Sequence, residues 1–400
     1  MTVWDQAVGQ AAAVELLADA ASRPAAMTHA WLITGPPGSG RTVVARAFAA
    51  ALQCPQGGCG TCDQCQAVLR RNHPDVLDVG SQKVVIGIDD VREWVTLAAR
   101  TPAMGRWRVI MVEDADRMLE RTGNVLLKSL EEPPPHTVWI LTAPSPFDVL
   151  VTVRSRCRRV ALRIPPVQAV TDLLVEQDGV PPEEARLAAL AAQCHIGVAR
   201  MLALDPEAQA RRRSVLAIPG ASQSVAQAVI AAGDLDAVAR EEADAVVKDR
   251  EDKDRAQLLE QLGETSRGRM SGFARQRLKE FDEESGKRAK RTQVDTLDLA
   301  LVDLLAFYRD VLAVQLGAKV ELINAGHADL VMDCARASSP GITLARLDAV
   351  EQARTHLAGN VAPALALEAM AVALALPQLV MTNSETRTET ETPPVGSVNP

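Results

Sequence analysis

The sequence predicts an α/β domain, a parallel sheet with helices on both faces, followed by an all-helical region. Three observations carry this. Four short apolar runs, at positions 31–34, 76–79, 108–112 and 138–142, alternate with helical stretches between Met1 and Pro166. Strands separated by helices imply parallel pairing with both sheet faces covered. A glycine-rich loop, Gly35 to Thr42, joins the first run to an alanine-rich helical stretch at 43–52, and beyond Pro165-Pro166 the pattern stays helical.

Taken in order, Trp31-Leu32-Ile33-Thr34 reads as a buried strand, because a short continuous apolar run leaves no polar face for solvent. The loop after it, Gly-Pro-Pro-Gly-Ser-Gly-Arg-Thr, has the form of a phosphate-binding loop. Gly35, Gly38 and Gly40 let successive N–H groups turn inward around a polyphosphate, and the following helix N-terminus favours an anion. Thr42 offers a hydroxyl to Mg²⁺. Arg41 stands where lysine is usual, and a broad planar fork does not replace a slim point charge. By itself the loop also fits an ordinary glycine-rich turn; the strand before it and the helix after it favour the phosphate reading.

The run 109–112 ends in Glu113-Asp114. That is the shape of a strand delivering a Mg²⁺-binding and water-activating pair, with the usual Asp-Glu order reversed. Phosphoryl transfer depends on close positioning, so the reversal and Arg41 both weaken the case for turnover. The acids also suit capping of the next helix. The set Gly35, Gly38, Gly40, Arg41, Thr42, Glu113 and Asp114 thus permits ATP and Mg²⁺ at an altered site without establishing hydrolysis.

Cys54, Cys59, Cys62 and Cys65 combine two overlapping Cys-x₂-Cys pairs with a fourth cysteine just upstream, among Gly57, Gly58 and Gly60. Four thiolates close a tetrahedral site with no position for water, which implies a structural zinc. Thiolate quartets also hold iron–sulfur clusters. Cys157, Cys194 and Cys334 are isolated and read as small core residues. Arg154-Ser155-Arg156-Cys157 follows the last apolar run; spacing alone makes it a surface basic cluster. Residues 167–213 read as a small helical unit and 214–380 as a larger one, helical over 294–316 and 344–376. Within it, 240–291 mixes both charge signs and suits a solvated helix pair. Residues 381–400, rich in Thr, Ser, Glu, Pro and Gly, read as a disordered tail.

A formal charge of −8 argues against binding nucleic acid by bulk electrostatics alone. No apolar run is long enough to span a bilayer, and the N-terminus has no basic-then-apolar leader, so a soluble cytoplasmic protein with no membrane partner is expected. Cysteine usage points to metal rather than disulfides.

These motifs converge on a resemblance. The chain resembles the clamp-loader subunits of bacterial DNA polymerase III, of the AAA+ class. The resemblance rests on Val8-Gly9-Gln10, on Thr28-His29-Ala30-Trp31-Leu32, on the cysteine module, and on Asn124-Val125-Leu126-Leu127-Lys128-Ser129-Leu130-Glu131-Glu132-Pro133-Pro134. It rests also on Ser155-Arg156-Cys157, on Gly197-Val198-Ala199-Arg200 and on the segment Leu357 to Pro363. It implies an AAA+ core with a zinc module (1–166), a helical lid (167–213) and an all-α collar (214–380). It implies that Arg156 is an arginine finger acting in trans and that Arg200 senses nucleotide. Arg41, the reversed acids and Thr142-Ala143-Pro144, beside an intact finger motif, match the delta-prime branch. The implied role is a ring member with little or no ATPase activity alone. Its partners would be the delta and gamma/tau subunits, the sliding clamp and, through the complex, primed DNA. The rival readings are an ATP-hydrolysing motor subunit of the gamma/tau type and a zinc-dependent DNA-binding scaffold.

Overall fold

The computed structural model describes residues 2–23, 26–80, 86–221, 224–261, 272–359 and 361–388. Two compact units divide the chain, Met1–Asp205 and Pro206–Pro400. In the first, a 3₁₀ turn at Val3–Gln6 precedes α1 (Ala11–Ser22), β1 (Ala30–Thr34), α2 (Arg41–Gln53), α3 (Asp63–Leu69), β2 (Val76–Val79) and α4 (Ile88–Ala98). There follow β3 (Arg108–Val112), α5 (Glu120–Glu131), β4 (Thr137–Ala143), α6 (Val151–Arg154) and β5 (Arg158–Ala161), then α7 (Val167–Asp178), α8 (Pro182–Ala191) and α9 (Ile196–Leu204).

The five strands form one sheet in the order β2-β3-β4-β1-β5, and every pairing is parallel. Alternation along each central strand feeds two cores. Trp31, Ile33, Val109, Met111, Val138 and Ile140 face one side, with Phe48 of α2. Leu32, Ile110, Val112, Trp139 and Leu141 face the other, with Val91 of α4 and Leu126 of α5. A sheet buried on both faces needs apolar residues at every position, which is why these strands read as continuous runs. β5 escaped the sequence reading. It is an edge strand in which Val160 alone is buried, so its two exposed arginines leave only Val160 and Ala161 rather than a run.

Just before β2, Asp75 holds the sheet to the following segment. Its buried carboxylate accepts from the N–H groups of Ala103, Met104 and Gly105, each at 2.7 Å, and from Arg108 Nη1 at 3.1 Å. Arg108 is itself buried and also donates to the Pro74 and Leu97 carbonyls.

The second unit is all helical: α10 (Pro206–Ala221), α11 (Val225–Gln261), α12 (Gly272–Gln315), α13 (Ala328–Ala337), α14 (Pro340–Ala358) and α15 (Pro363–Thr388). The stretch read as helical over 344–376 is two helices. Gly359 closes the first and Pro363, which needs no N–H partner, opens the second. Leu301, Leu304 and Tyr308 lie in the core of this unit while Leu305 is only partly buried. Helix α10 runs through residue 213, where the sequence reading placed a boundary, and its Arg212 pairs with Asp303 at 2.9 Å. Asp310, fully buried, accepts from the Ile323 and Asn324 amides and so fixes the turn after α12. At the ends of the mixed-charge region Gln293 and Arg240 both reach Asp236, and within it Arg255 lies 3.9 Å from Asp282. Helix α15 carries past residue 381, where the tail was expected to begin; 389–400 lie outside the described residues. Among the described residues no helix is long and apolar enough to cross a membrane.

Asp75→Ala would strand Arg108 as a buried unpaired cation, and removing one partner of such a pair costs about 3–5 kcal/mol. Burial alone would raise the Asp75 pKa, but the three amides and Arg108 outweigh it and hold the carboxyl below its ordinary value. Its contribution is therefore complete above about pH 4 and lost as pH falls through the lower folded value. Urea unfolding of the full chain should show the wild-type advantage over Asp75→Ala at pH 7 and its decline below about pH 4.

Candidate functional site

Parallel pairing brings the C-terminal ends of β1, β3 and β4 to one edge of the sheet, the place where open α/β sheets bind ligands. Gly35 to Gly40 leave β1 there and enter α2. Gly38 has φ +85° and Gly40, which caps α2, has φ +81°. A Cβ on Gly38 would lie 3.1 Å from both Cα and Cβ of His195, the residue that caps α9. The loop is thus pressed against the helical segment 167–204 at a point the sequence reading did not single out. Gln10, buried, ties the same loop to the end of β5: its Nε2 donates to the Ser39 carbonyl at 3.1 Å and to the Arg163 carbonyl at 2.6 Å.

Arg41 is folded back. Its Nη1 donates to the carbonyl of Gly35, at the start of its own loop, and its Nη2 lies 3.8 Å from Asp114 Oδ1. Burial pulls the Arg41 pKa down, and Asp114, Asp116 and Glu113 oppose that pull. Asp114 sits in left-handed backbone (φ +52°), its N–H donates to Thr142 Oγ1 at 3.3 Å, and Arg117 pairs with its carboxylate at 2.9 Å. Glu113 lies 3.8 Å from Arg46, which holds Asp78 at 2.8 Å. Burial and then the neighbouring Asp78 raise the Glu113 pKa. The buried oxygens Asp78 Oδ1, Glu113 Oε1, Asp116 Oδ1 and Ser39 Oγ have no hydrogen-bond partner among the described residues. Carboxylate and hydroxyl oxygens are the donors that a hard cation takes, and the loop amides fit phosphate. Thr42, Glu113 and Asp114 would face the metal and Gly38 to Arg41 the phosphates. The structure therefore brings Gly35, Gly38, Gly40, Arg41, Thr42, Glu113 and Asp114 together, with the cation of the loop already engaged.

Arg200 and Arg156 stand elsewhere. Arg200 Nε pairs with Asp178 Oδ2 at 2.7 Å and its Nη2 donates to Gln177 Oε1 at 3.0 Å, both at the end of α7. Arg156 follows α6 on the surface. Its Nε donates to Glu131 Oε1 at 2.7 Å, its Nη2 also reaches Glu131, and its Nη1 donates to the Thr152 carbonyl at 2.8 Å. Nearby Arg154 donates to the Pro146 carbonyl and lies over the ring of Phe147, one of the most exposed apolar side chains of the unit. Sequence reasoning found Arg156 but not its partner, because Glu131 is remote in the chain, with the whole of β4 between them.

The four cysteines converge at the C-terminal end of α2. Their Sγ atoms all lie within 4.8 Å of one another, and Cys54 stands 3.7 Å from both Cys59 and Cys62. A tetrahedron with metal–sulfur bonds of about 2.3 Å has edges of about 3.8 Å, so the donors fit a closed thiolate site. Backbone N–H groups of Gln56, Cys59, Cys62 and Cys65 aim at the sulfurs of Cys54, Cys59 and Cys62. Amide and hydroxyl hydrogen bonds from Thr61 lead in pulling the Cys59 pKa down to about 6, whereas burial raises that of Cys65. The cluster can hold a metal ion. It also anchors the chain start: Val3 N–H donates to the Gly58 carbonyl at 3.0 Å and Trp4 Nε1 to that of Gly57 at 3.4 Å. Of the isolated cysteines, Cys194 is buried and Cys157 and Cys334 are half-buried.

Residues 9–166 match the family described as DNA polymerase III, delta subunit. The chain is 38% identical over 169 residues to the DNA polymerase III subunit delta' of Escherichia coli K12, covering 40% of this chain and 50% of that protein. It is 37% identical over 168 residues to the subunit gamma/tau of Mycobacterium bovis, covering 40% and 29% respectively. It thus spans half or less of the length of these relatives. A gamma subunit-related protein of Thermotoga maritima superposes with a TM-score of 0.40 at 17% identity, over 90% of this chain and 98% of that one.

The crowding at Gly38 has a measurable consequence. Alanine at a left-handed position costs about 1–2 kcal/mol, and at Gly40 nothing lies within 4 Å to add to it. Gly38→Ala should therefore lower the thermal midpoint of the full chain more than Gly40→Ala does, because only the former also pushes on His195.

Proposed function

We propose that this chain is a delta-prime-type subunit of a bacterial DNA polymerase III clamp loader. In this reading it works in the cytoplasm, in a ring with delta and gamma/tau subunits that places the sliding clamp on primed DNA. Positions 1–166 form the AAA+ core, 167–213 the lid and 214–380 the collar. The observation that carries the reading is a contrast between two arginines. Arg41, in the chain's own nucleotide loop, is tied to Gly35 and Asp114. Arg156, at the surface, is held by one exposed glutamate and two groups of its own turn. A nucleotide site with its cation turned inward is poorly set for its own chemistry. A guanidinium displayed on the outside suits a neighbour's γ-phosphate. The delta' relatives support the same assignment.

In this reading the four cysteines hold zinc, which stabilises the end of α2 and the chain start and takes no part in catalysis. Arg200 stays with Asp178 until nucleotide or a partner shifts the helical segment. The chain alone hydrolyses ATP negligibly, since Arg41 and the shortened reach of Asp114 each misplace a required group.

Three measurements test this. Elemental analysis of the purified full chain should give about one zinc per chain, as a closed four-thiolate site requires; iron or no metal would reject the assignment. In a reconstituted loader, Arg156→Ala should leave assembly and zinc content unchanged while lowering clamp-dependent ATP turnover. Arginine fingers contribute roughly 10³–10⁵ at a single site, so a ring with several sites loses the share of this interface. Arg156→Lys should not restore it, because lysine lacks the planar fork. Wild-type loading by the Arg156→Ala complex would remove the finger role, and turnover of about one per second by the chain alone, at the low end of typical enzyme rates, would favour the motor subunit.

A further inference from the structure

We propose that Glu131 is a positioning residue for Arg156 and that the segment Ser129 to Pro134 is the mount of that arginine, an inference that rests on reading Arg156 as a group presented to a neighbouring nucleotide. The last turn of α5 is fixed from two sides. Trp139 Nε1 on β4 donates to Ser129 Oγ at 3.2 Å in the buried interior. His29, entering β1, meets the Leu130 carbonyl at 2.7 Å. Leu126 and Leu130 are buried in the same core, and Pro133-Pro134 end the helix. Glu131 leaves this immobile turn and takes Arg156 along its Nε–Nη2 side. Thr152 and Ser155 hold Nη1 from behind, at 2.8 and 3.3 Å.

An acid here is costly to its own helix. Glu131 and Glu132 stand at the C-terminal end of α5, where the unpaired carbonyls disfavour negative charge. What Glu131 gains, it gains through Arg156. The pair is half exposed, with 35% of the arginine side chain and 47% of the glutamate accessible. Exposed pairs contribute little to stability, so the consequence is orientation. Together these contacts freeze a side chain that is otherwise among the most mobile, before a partner arrives. Small misplacements of a catalytic group cost up to about a hundredfold in rate. Because the hold is weak, a phosphate can still draw on the guanidinium without first breaking a strong pair.

The test is a double-mutant cycle in the reconstituted loader, using wild type, Glu131→Gln, Arg156→Ala and the double variant. Glu131→Gln should lower the turnover carried by the interface that Arg156 serves by roughly tenfold, within the range of such misplacements, so that kcat of the whole ring falls slightly less than in Arg156→Ala, with KM for ATP unchanged. It should add nothing in the Arg156→Ala background, and Glu131→Asp should fall between. In the isolated full chain, the Arg156 Nε–Hε resonance should be observable in the wild type and broadened or lost in Glu131→Gln, with melting midpoint and metal content unchanged. An unchanged or faster Glu131→Gln complex, an equal loss in the Arg156→Ala background, or an Arg156 resonance indifferent to residue 131 each overturns the positioning role and leaves the finger intact. Wild-type turnover by Arg156→Ala removes the finger reading itself, and the role of Glu131 with it.

Discussion

Parallel pairing of β1 between β4 and β5, with β3 outside β4, is the constraint from which the rest of the first unit follows. Parallel strands need crossovers, so helices cover both faces and the central strands become largely apolar. The same directionality delivers every strand's C-terminal end to one edge. Gly35, Glu113 and Thr142 meet there for that reason, although whole helices and strands separate them in the chain. β5 beside β1 adds a second consequence: Gln10 can bridge Ser39 and Arg163, linking the glycine-rich loop to the exit toward α7.

The arginines at the candidate sites of the first unit are paired within the chain. Arg41 faces Asp114, Arg46 faces Asp78 and Glu113, Arg117 faces Asp114, Arg200 faces Asp178 and Arg156 faces Glu131. A ligand therefore competes with existing pairs. Those near the loop are largely buried, where removing one partner is strongly destabilising. The Arg156 pair is half exposed and exchangeable at little cost. This gradient separates the enclosed charges at the glycine-rich loop from an arginine pair at the surface.

The cysteine cluster works through short connections of the same kind. Cys54 ends α2 and Cys62 caps α3, so a metal there would tie two helix ends and, through Gly57 and Gly58, the residues Val3 and Trp4. A tight turn among glycines achieves what a longer hydrophobic loop would otherwise have to do.

Much was determined by the sequence alone, where the deciding contacts are local. Strand, loop and helix around Gly35 to Thr42 follow from hydrophobic runs and glycine spacing, and Cys54 to Cys65 is a segment short enough for spacing to dictate convergence. The central strands were legible because burial on both faces leaves a continuous apolar signature, whereas β5, half exposed at the edge, left only Val160 and Ala161. The break between α14 and α15 was written in Gly359 and Pro363 but was hidden by apolar residues on both sides. Tertiary structure alone decided which partner each charge would find. Glu131 meets Arg156, Asp114 meets Arg41 and His195 meets Gly38 only after strand order has brought separate loops together. An ion pair across the sheet edge leaves no periodicity in the chain, because its geometry is set by which strands are neighbours and not by how many residues lie between them.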